Sequence, residues 1–305
     1  MTSTLRPIRL TLTVVALLGA TVVLVGCATA AEDEGTEAPA SAPQAFQHIH
    51  SLTVDPEPDQ LLVGTHAGLY ELTFDASGAT TAEGPIADLD FDPMGFTMSD
   101  DIAYASGHPG PTTPASFGSP NLGLIKSTDR GETWSNISLT GQTDFHDLAV
   151  GPQAIDGGDG TIYGLDTSKP ALQRSFDGGA TWNDGAELVA RDIAADPATA
   201  GTVYATTEGG LAVSTDEGAS FTIDTEAPPL FLLSIDAGTD AFAGIDISGT
   251  VWVRDASQSW VSGGTVSGTP QALTISGERI FVADDRGIAF TDDIGDSWTI
   301  LDATE

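Results

Sequence analysis

The chain has 305 residues, with 44 acidic side chains against 10 basic ones and a formal net charge of −34. A surface of that sign repels nucleic acid and other polyanions and draws in cations. A single cysteine excludes a disulfide framework, so packing alone must hold the fold.

Residues 1–26 combine a basic start (Arg6, Arg9), an apolar run from Leu10 to Val25 and a small-residue end, the pattern of a secretory signal. Leu24-Val25-Gly26-Cys27 resembles a bacterial lipobox. That resemblance implies lipidation of Cys27, hence an extracytoplasmic protein anchored in the cell membrane through lipid. Loss of the leader with its two arginines takes the charge to −36. Residues 28–45 are rich in Ala, Pro, Glu and Thr and read as an acidic tether. Residues 46–305 read as one domain, expected to be monomeric.

That domain is periodic. STDRGETW (127–134), SFDGGATW (175–182), STDEGASF (214–221) and TDDIGDSW (291–298) share one pattern, and VRDASQSW (253–260) is a worn copy. Their aspartates Asp129, Asp177, Asp216, Asp255 and Asp293 are spaced by 48, 39, 39 and 38 residues, the mark of a repeat architecture. Short Ser and Asp side chains stabilise a tight turn, Gly supplies positive φ, and the aromatic residue starts the next strand. The octamer resembles the Asp-box (BNR) repeat of sialidases and related β-propellers, which makes Asp129, Asp177, Asp216 and Asp293 structural.

Each box closes a longer unit. Inner strands are expected at HSLTVDP (50–56), ADLDFDP (87–93), FHDLAVGP (145–152), RDIAADP (191–197), FLLSIDAG (231–238) and QALTISG (271–277). Second strands follow at 61–65, 102–107, 161–166, 202–207, 239–246 and 279–285. Short alternating apolar runs broken by Gly, Asp and Pro are an all-β pattern. Six units, the first with a faded box near Asp75, predict a six-bladed β-propeller with Asp-box hairpins. Tyr104, Tyr163 and Tyr204 recur at one strand position and are expected in the core.

In such a blade the start of the first strand and the end of the second share a face, opposite the box hairpins. His48, His50 and His146 fall at first-strand starts, while His66 and His108 end second strands. All five histidines thus go to one end of the channel, on three adjacent blades. Clustered imidazoles with carboxylates suit zinc or copper. Expected metal ligands are His48, His50, His66, His108 and His146. Asp88, Asp144, Asp147 and Asp192 are candidate ligand-binding or supporting carboxylates. The insertion 109–121, PGPTTPASFGSPN, leaves from that face as a wall or lid. Asp156-Gly-Gly-Asp-Gly160 has calcium-loop composition but falls in a hairpin turn.

Over about 255 residues the domain resembles bacterial proteins described as Asp-box or glycosyl-hydrolase-like propellers. The resemblance rests on HIHSLTVDP, SGHPG, LGLIKSTDRGETW and DFHDLAV. It implies an exo-sialidase or another glycosidase. A sialidase binds its substrate carboxylate with three arginines. Here Arg130 lies inside a box, Arg174 and Arg254 precede boxes, and only Arg191 and Arg286 belong to the site face. No triad forms from that supply. Three functions stay open: a module binding a metal, small molecule or glycan, a non-sialidase hydrolase with two acting carboxylates, and a scaffold for a membrane protein, as in assembly-factor propellers.

Overall fold

A computed structural model describes residues 46, 48–55, 59–99, 101–152, 160–255 and 257–304, with side chains described as far as 301. The leader, Cys27, the tether and most of the glycine-rich turn after Asp156 lie outside them. The described chain forms six four-stranded antiparallel units in sequence order, a six-bladed β-propeller. The inner strands are Ile49–Val54, Asp92–Ser99, Phe145–Val150, Ala190–Ala195, Leu230–Ile235 and Ala272–Ser276. Each touches the next, and that of blade six touches that of blade one, so the ring closes. The last strand, Thr299–Thr304, also pairs in parallel with the outer strand of blade one, Asp302 to Ala79 and Thr304 to Thr81.

The apolar core is distributed between blades rather than gathered at one centre. Ile49, Leu52, Val63 and Phe74 of blade one pack on Ala272, Phe281, Ile288 and Phe290 of blade six. Equivalent clusters join every other neighbouring pair. Tyr104, Tyr163 and Tyr204 are buried in them, as expected.

The boxes behave as hairpin clasps. In blade three, buried Ser175 Oγ accepts the Gly179 N–H at 2.8 Å and donates to Asp177 at 2.9 Å. The same Asp177 oxygen, Oδ1, takes the Thr181 N–H at 2.8 Å, and the other, Oδ2, takes the Thr181 hydroxyl at 2.6 Å. Gly179 has φ 88°, and a Cβ there would collide with Leu124 of the preceding blade. Asp129, Asp216 and Asp293 repeat the pattern, and these bonds hold the Asp216 and Asp293 carboxyls down at about 2. The faded turn at Asp75 keeps only the aspartate half, with bonds from Ser77 and Ala79.

One register expectation fails. The inner strand of blade two starts at Asp92, not Ala87, because Asp92-Pro93 opens that strand instead of ending it. Asp88 consequently lies in a 3-10 turn, Ile86–Asp88, with φ 54°.

A second regularity is a β-bulge near the start of five inner strands. The unpaired residue is His50, Met94, His146, Arg191 or Phe231 in blades one to five. In blade six the matching position is Gln271, one residue ahead of the strand. A bulge bends the strand and re-aims the extra side chain. One side chain in each of those five blades is thereby left outside the strand pairing.

Ser175→Ala would strand the buried Gly179 N–H. The expected loss is about 1–3 kcal/mol of unfolding free energy, measured by urea titration.

Candidate functional site

The histidines do converge, around two carboxylates one blade apart. Asp92, first residue of the blade-two inner strand, faces two imidazoles of blade one. His66 Nδ1 lies 2.6 Å from Asp92 Oδ2, and His50 Nε2 lies 3.2 Å from Asp92 Oδ1. His50 Nε2 and His66 Nδ1 are 3.3 Å apart. The three ligand atoms sit within 4.8 Å of one another. His48, with φ 59°, packs its ring edge on His66 at 5.2 Å between centroids.

Asp144, immediately before the blade-three inner strand, repeats this arrangement. Its Oδ2 is 2.8 Å from His146 Nε2 of the same blade and 3.2 Å from His108 Nε2 of blade two. His108 Nδ1 donates to the Pro120 carbonyl at 3.3 Å. A carbonyl can only accept, so Nδ1 carries a proton and Nε2 is the atom turned to Asp144. Both carboxylates are largely buried, 15% and 14% exposed; Asp92 Oδ1 has only the His50 contact, and Asp144 Oδ1 makes no hydrogen bond.

Electrostatics follow from this. Burial alone would raise Asp92, but hydrogen bonds and positive charge from His50 and His66 outweigh it and hold the carboxyl below its usual range. The hydrogen bond to Asp144 raises His146, against desolvation, with help from the charges of Asp144, Asp166 and Asp92. His66 Nδ1 has one position for one proton yet lies within reach of both Asp92 and His50, so it cannot serve both as donor and as acceptor at once.

The other proposed carboxylates are elsewhere. Asp88, displaced by the register of blade two, does not join the histidines; its carbonyl accepts the Thr112 hydroxyl at 3.4 Å. Asp147 and Asp192 form a separate pair between inner strands. Asp147 accepts Ile193 N–H at 2.6 Å and Leu148 N–H at 2.8 Å, and Asp192 accepts Leu233 N–H at 2.8 Å. Each therefore stitches its blade to the next. Asp166 and Asp246 cap their own turns through Ser168 and Ser248. Arg286 is tied to Asp284 and stacks over Trp298. The 109–121 insertion is a pinned wall: Asp90 holds Thr112 and Thr113, and Pro120 supplies its carbonyl to His108.

Asp92 is the functional residue that sequence reasoning missed. The signal that could have found it is the turn-favouring pair Asp100-Asp101 before the second strand of the same blade: an inner strand ending just ahead of that pair, at Ser99, has to begin near Asp92.

Burial raises Asp147 far above the usual carboxylate range, reinforced by the charge of Asp192 and only partly opposed by the N–H donors of Ile193 and Leu148. Asp192 is raised too, by burial first. Both groups are half-buried by surface area, but their oxygens are enclosed by strand N–H groups. A raised carboxyl stabilises the fold below its unfolded value of about 4 and loses that contribution as pH rises through the folded value. Stability should therefore fall from about pH 4 upward on account of this pair. Asp192→Asn offers an amide donor to Asp147 and should flatten that fall, which urea midpoints across the range would register. A mutant with the wild-type slope would remove the pair as its cause.

No family model matches the chain, and no curated protein matches it. Solved structures do. A chain from a nidogen/laminin complex superimposes with TM-score 0.57 at 16% identity, covering 77% of this chain and 89% of that one. The GH74 enzyme of Niastella koreensis gives 0.55 at 16%, and the GH74 xyloglucanase of Xanthomonas campestris 0.52 at 18%. Each covers 83% of this chain, while the chain spans 45% of either enzyme. At such identities the shared property is the fold: the chain is similar to β-propeller proteins of differing activity.

Proposed function

We propose that the chain is a binding module whose channel mouth holds a divalent transition metal, zinc or copper, on His50, His66 and Asp92. One observation carries the reading: two imidazole nitrogens and a carboxylate oxygen from two blades lie within 4.8 Å of one another. Two imidazoles and a carboxylate leave a fourth position of a tetrahedral ion open for water or a ligand. The crowding of His50 Nε2 and His66 Nδ1 on the Asp92 carboxylate supports the reading, since an ion relieves the contested His66 proton. His108, Asp144 and His146 supply charge beside the ion, and His48 flanks it. The strongly negative surface raises the local cation concentration.

Metal analysis of untagged protein tests this. Saturating zinc or copper should raise Tm by roughly 5–10 °C for a domain of this size. His66→Ala should weaken binding at least about tenfold. Protein that is metal-free and shows no thermal response to either ion would overturn the reading.

A hydrolase using the same mouth is the second reading, favoured by the two carboxylates Asp92 and Asp144 on one rim. A panel of aryl glycosides tests it. Turnover that survives replacement of His50, His66, His108 and His146 would separate any activity from this cluster.

A further inference from the structure

The imidazoles occupy one side of the mouth; Arg191 lies on the other. It is the bulge residue of blade four, next to the blade that carries His146. Its guanidinium stacks on the ring of Phe231, the bulge residue of blade five, at 5.3 Å. Its Nη2 reaches the carbonyl of Gln271, the matching residue of blade six, at 3.5 Å. A side chain that starts on blade four and ends at blade six must cross the mouth in front of blade five.

Arg191 is exposed and, among the described residues, forms no ion pair. Among the described arginines, Arg130, Arg279 and Arg286 are held in ion pairs, whereas Arg174, Arg191 and Arg254 are not; Arg174 spends its fork on the carbonyls of Glu217 and Asp184, and Arg254 lies over the rings of Phe242 and Trp260. The Arg191 guanidinium has five N–H donors, and a single long contact to Gln271 leaves most of the fork unspent. Nearby, Asp192 turns its carboxylate away to the Leu233 N–H.

We propose that Arg191, Phe231 and Gln271 form a receiving site for a small organic monocarboxylate, with the carboxylate on the guanidinium fork and an apolar or aromatic body against Phe231. A planar fork matches a carboxylate in bidentate fashion. One positive charge in a strongly negative surround balances a monoanion and leaves the second charge of a phosphate dianion uncompensated. The half-buried Phe231 ring keeps apolar surface beyond the part the guanidinium covers, which suits an organic body rather than a hydrated one. The site does not depend on the metal: its groups come from blades four to six, and the proposed ion from blades one and two.

Benzoate is the probe, with binding followed by calorimetry and saturation-transfer NMR at neutral pH on the full chain. Wild type should bind it saturably and more tightly than inorganic phosphate. Arg191→Gln, at an exposed position and with unchanged Tm, should weaken benzoate at least about tenfold, the value of a charge-assisted hydrogen bond. Arg191→Lys should fail to restore it, since an ammonium lacks the fork. His50→Ala/His66→Ala protein should bind benzoate as wild type does, and Arg191→Gln should leave zinc binding unchanged. No saturable benzoate binding, equal binding by Arg191→Gln, full rescue by lysine, or tighter binding of phosphate would each overturn the proposal.

Discussion

No blade of this protein can bury its own two faces. Each sheet is apolar on both sides, and each side finds cover only on a neighbour, as the pairing of Phe74 with Phe281 and Phe290 across the closure shows. The ring is therefore obligatory, and every other feature inherits its geometry. The inner strands must converge, so whatever their first residues carry is brought together whether or not those residues are near in sequence. His50 and Gln271 are 221 positions apart, yet the Gln271 side chain accepts the Ile49 N–H at 3.0 Å.

Convergence alone would leave inner-strand side chains alternating between the two faces of each sheet. The bulge changes that by adding a residue with no partner in the ladder. In blades one and three it frees an imidazole, and in blade four a guanidinium. The residue after the bulge goes the other way, into the seam between blades. There Asp147 and Asp192 satisfy N–H groups of the next strand. Gly95, its counterpart in blade two, has backbone of Phe145 where a Cβ would stand. Two adjacent positions thus have separate tasks, one facing the mouth and one binding blade to blade.

The sequence exposed the parts of this that repeat. Five boxes at near-constant spacing located the blades, and the hydrogen bonds of Ser175, Asp177 and Gly179 account for why those residue types recur. Placing the histidines on one face followed from register alone. The error came where a cue had two meanings. Asp-Pro follows the inner strand at Asp196-Pro197 but opens it at Asp92-Pro93, so a strand read as 87–93 puts Asp88 at its near end in place of Asp92. The bulges left no trace, because His, Met, Arg and Phe share no chemistry that would announce a backbone irregularity. Nor could the Asp147–Asp192 pair be read, since it exists only where two blades meet.

The two carboxylates at the site show why imidazoles and acids alternate around this rim. Asp92 is reached by histidines of blade one and Asp144 by one of blade two, so each carboxylate sits across a seam from at least one imidazole. A buried carboxylate with no opposite charge would be costly, and the imidazoles provide that charge when protonated. A bound cation would provide it without a proton, which ties the electrostatics of this rim to the proposed ion. The seams that hold the ring together therefore also set where imidazoles and carboxylates meet on its rim.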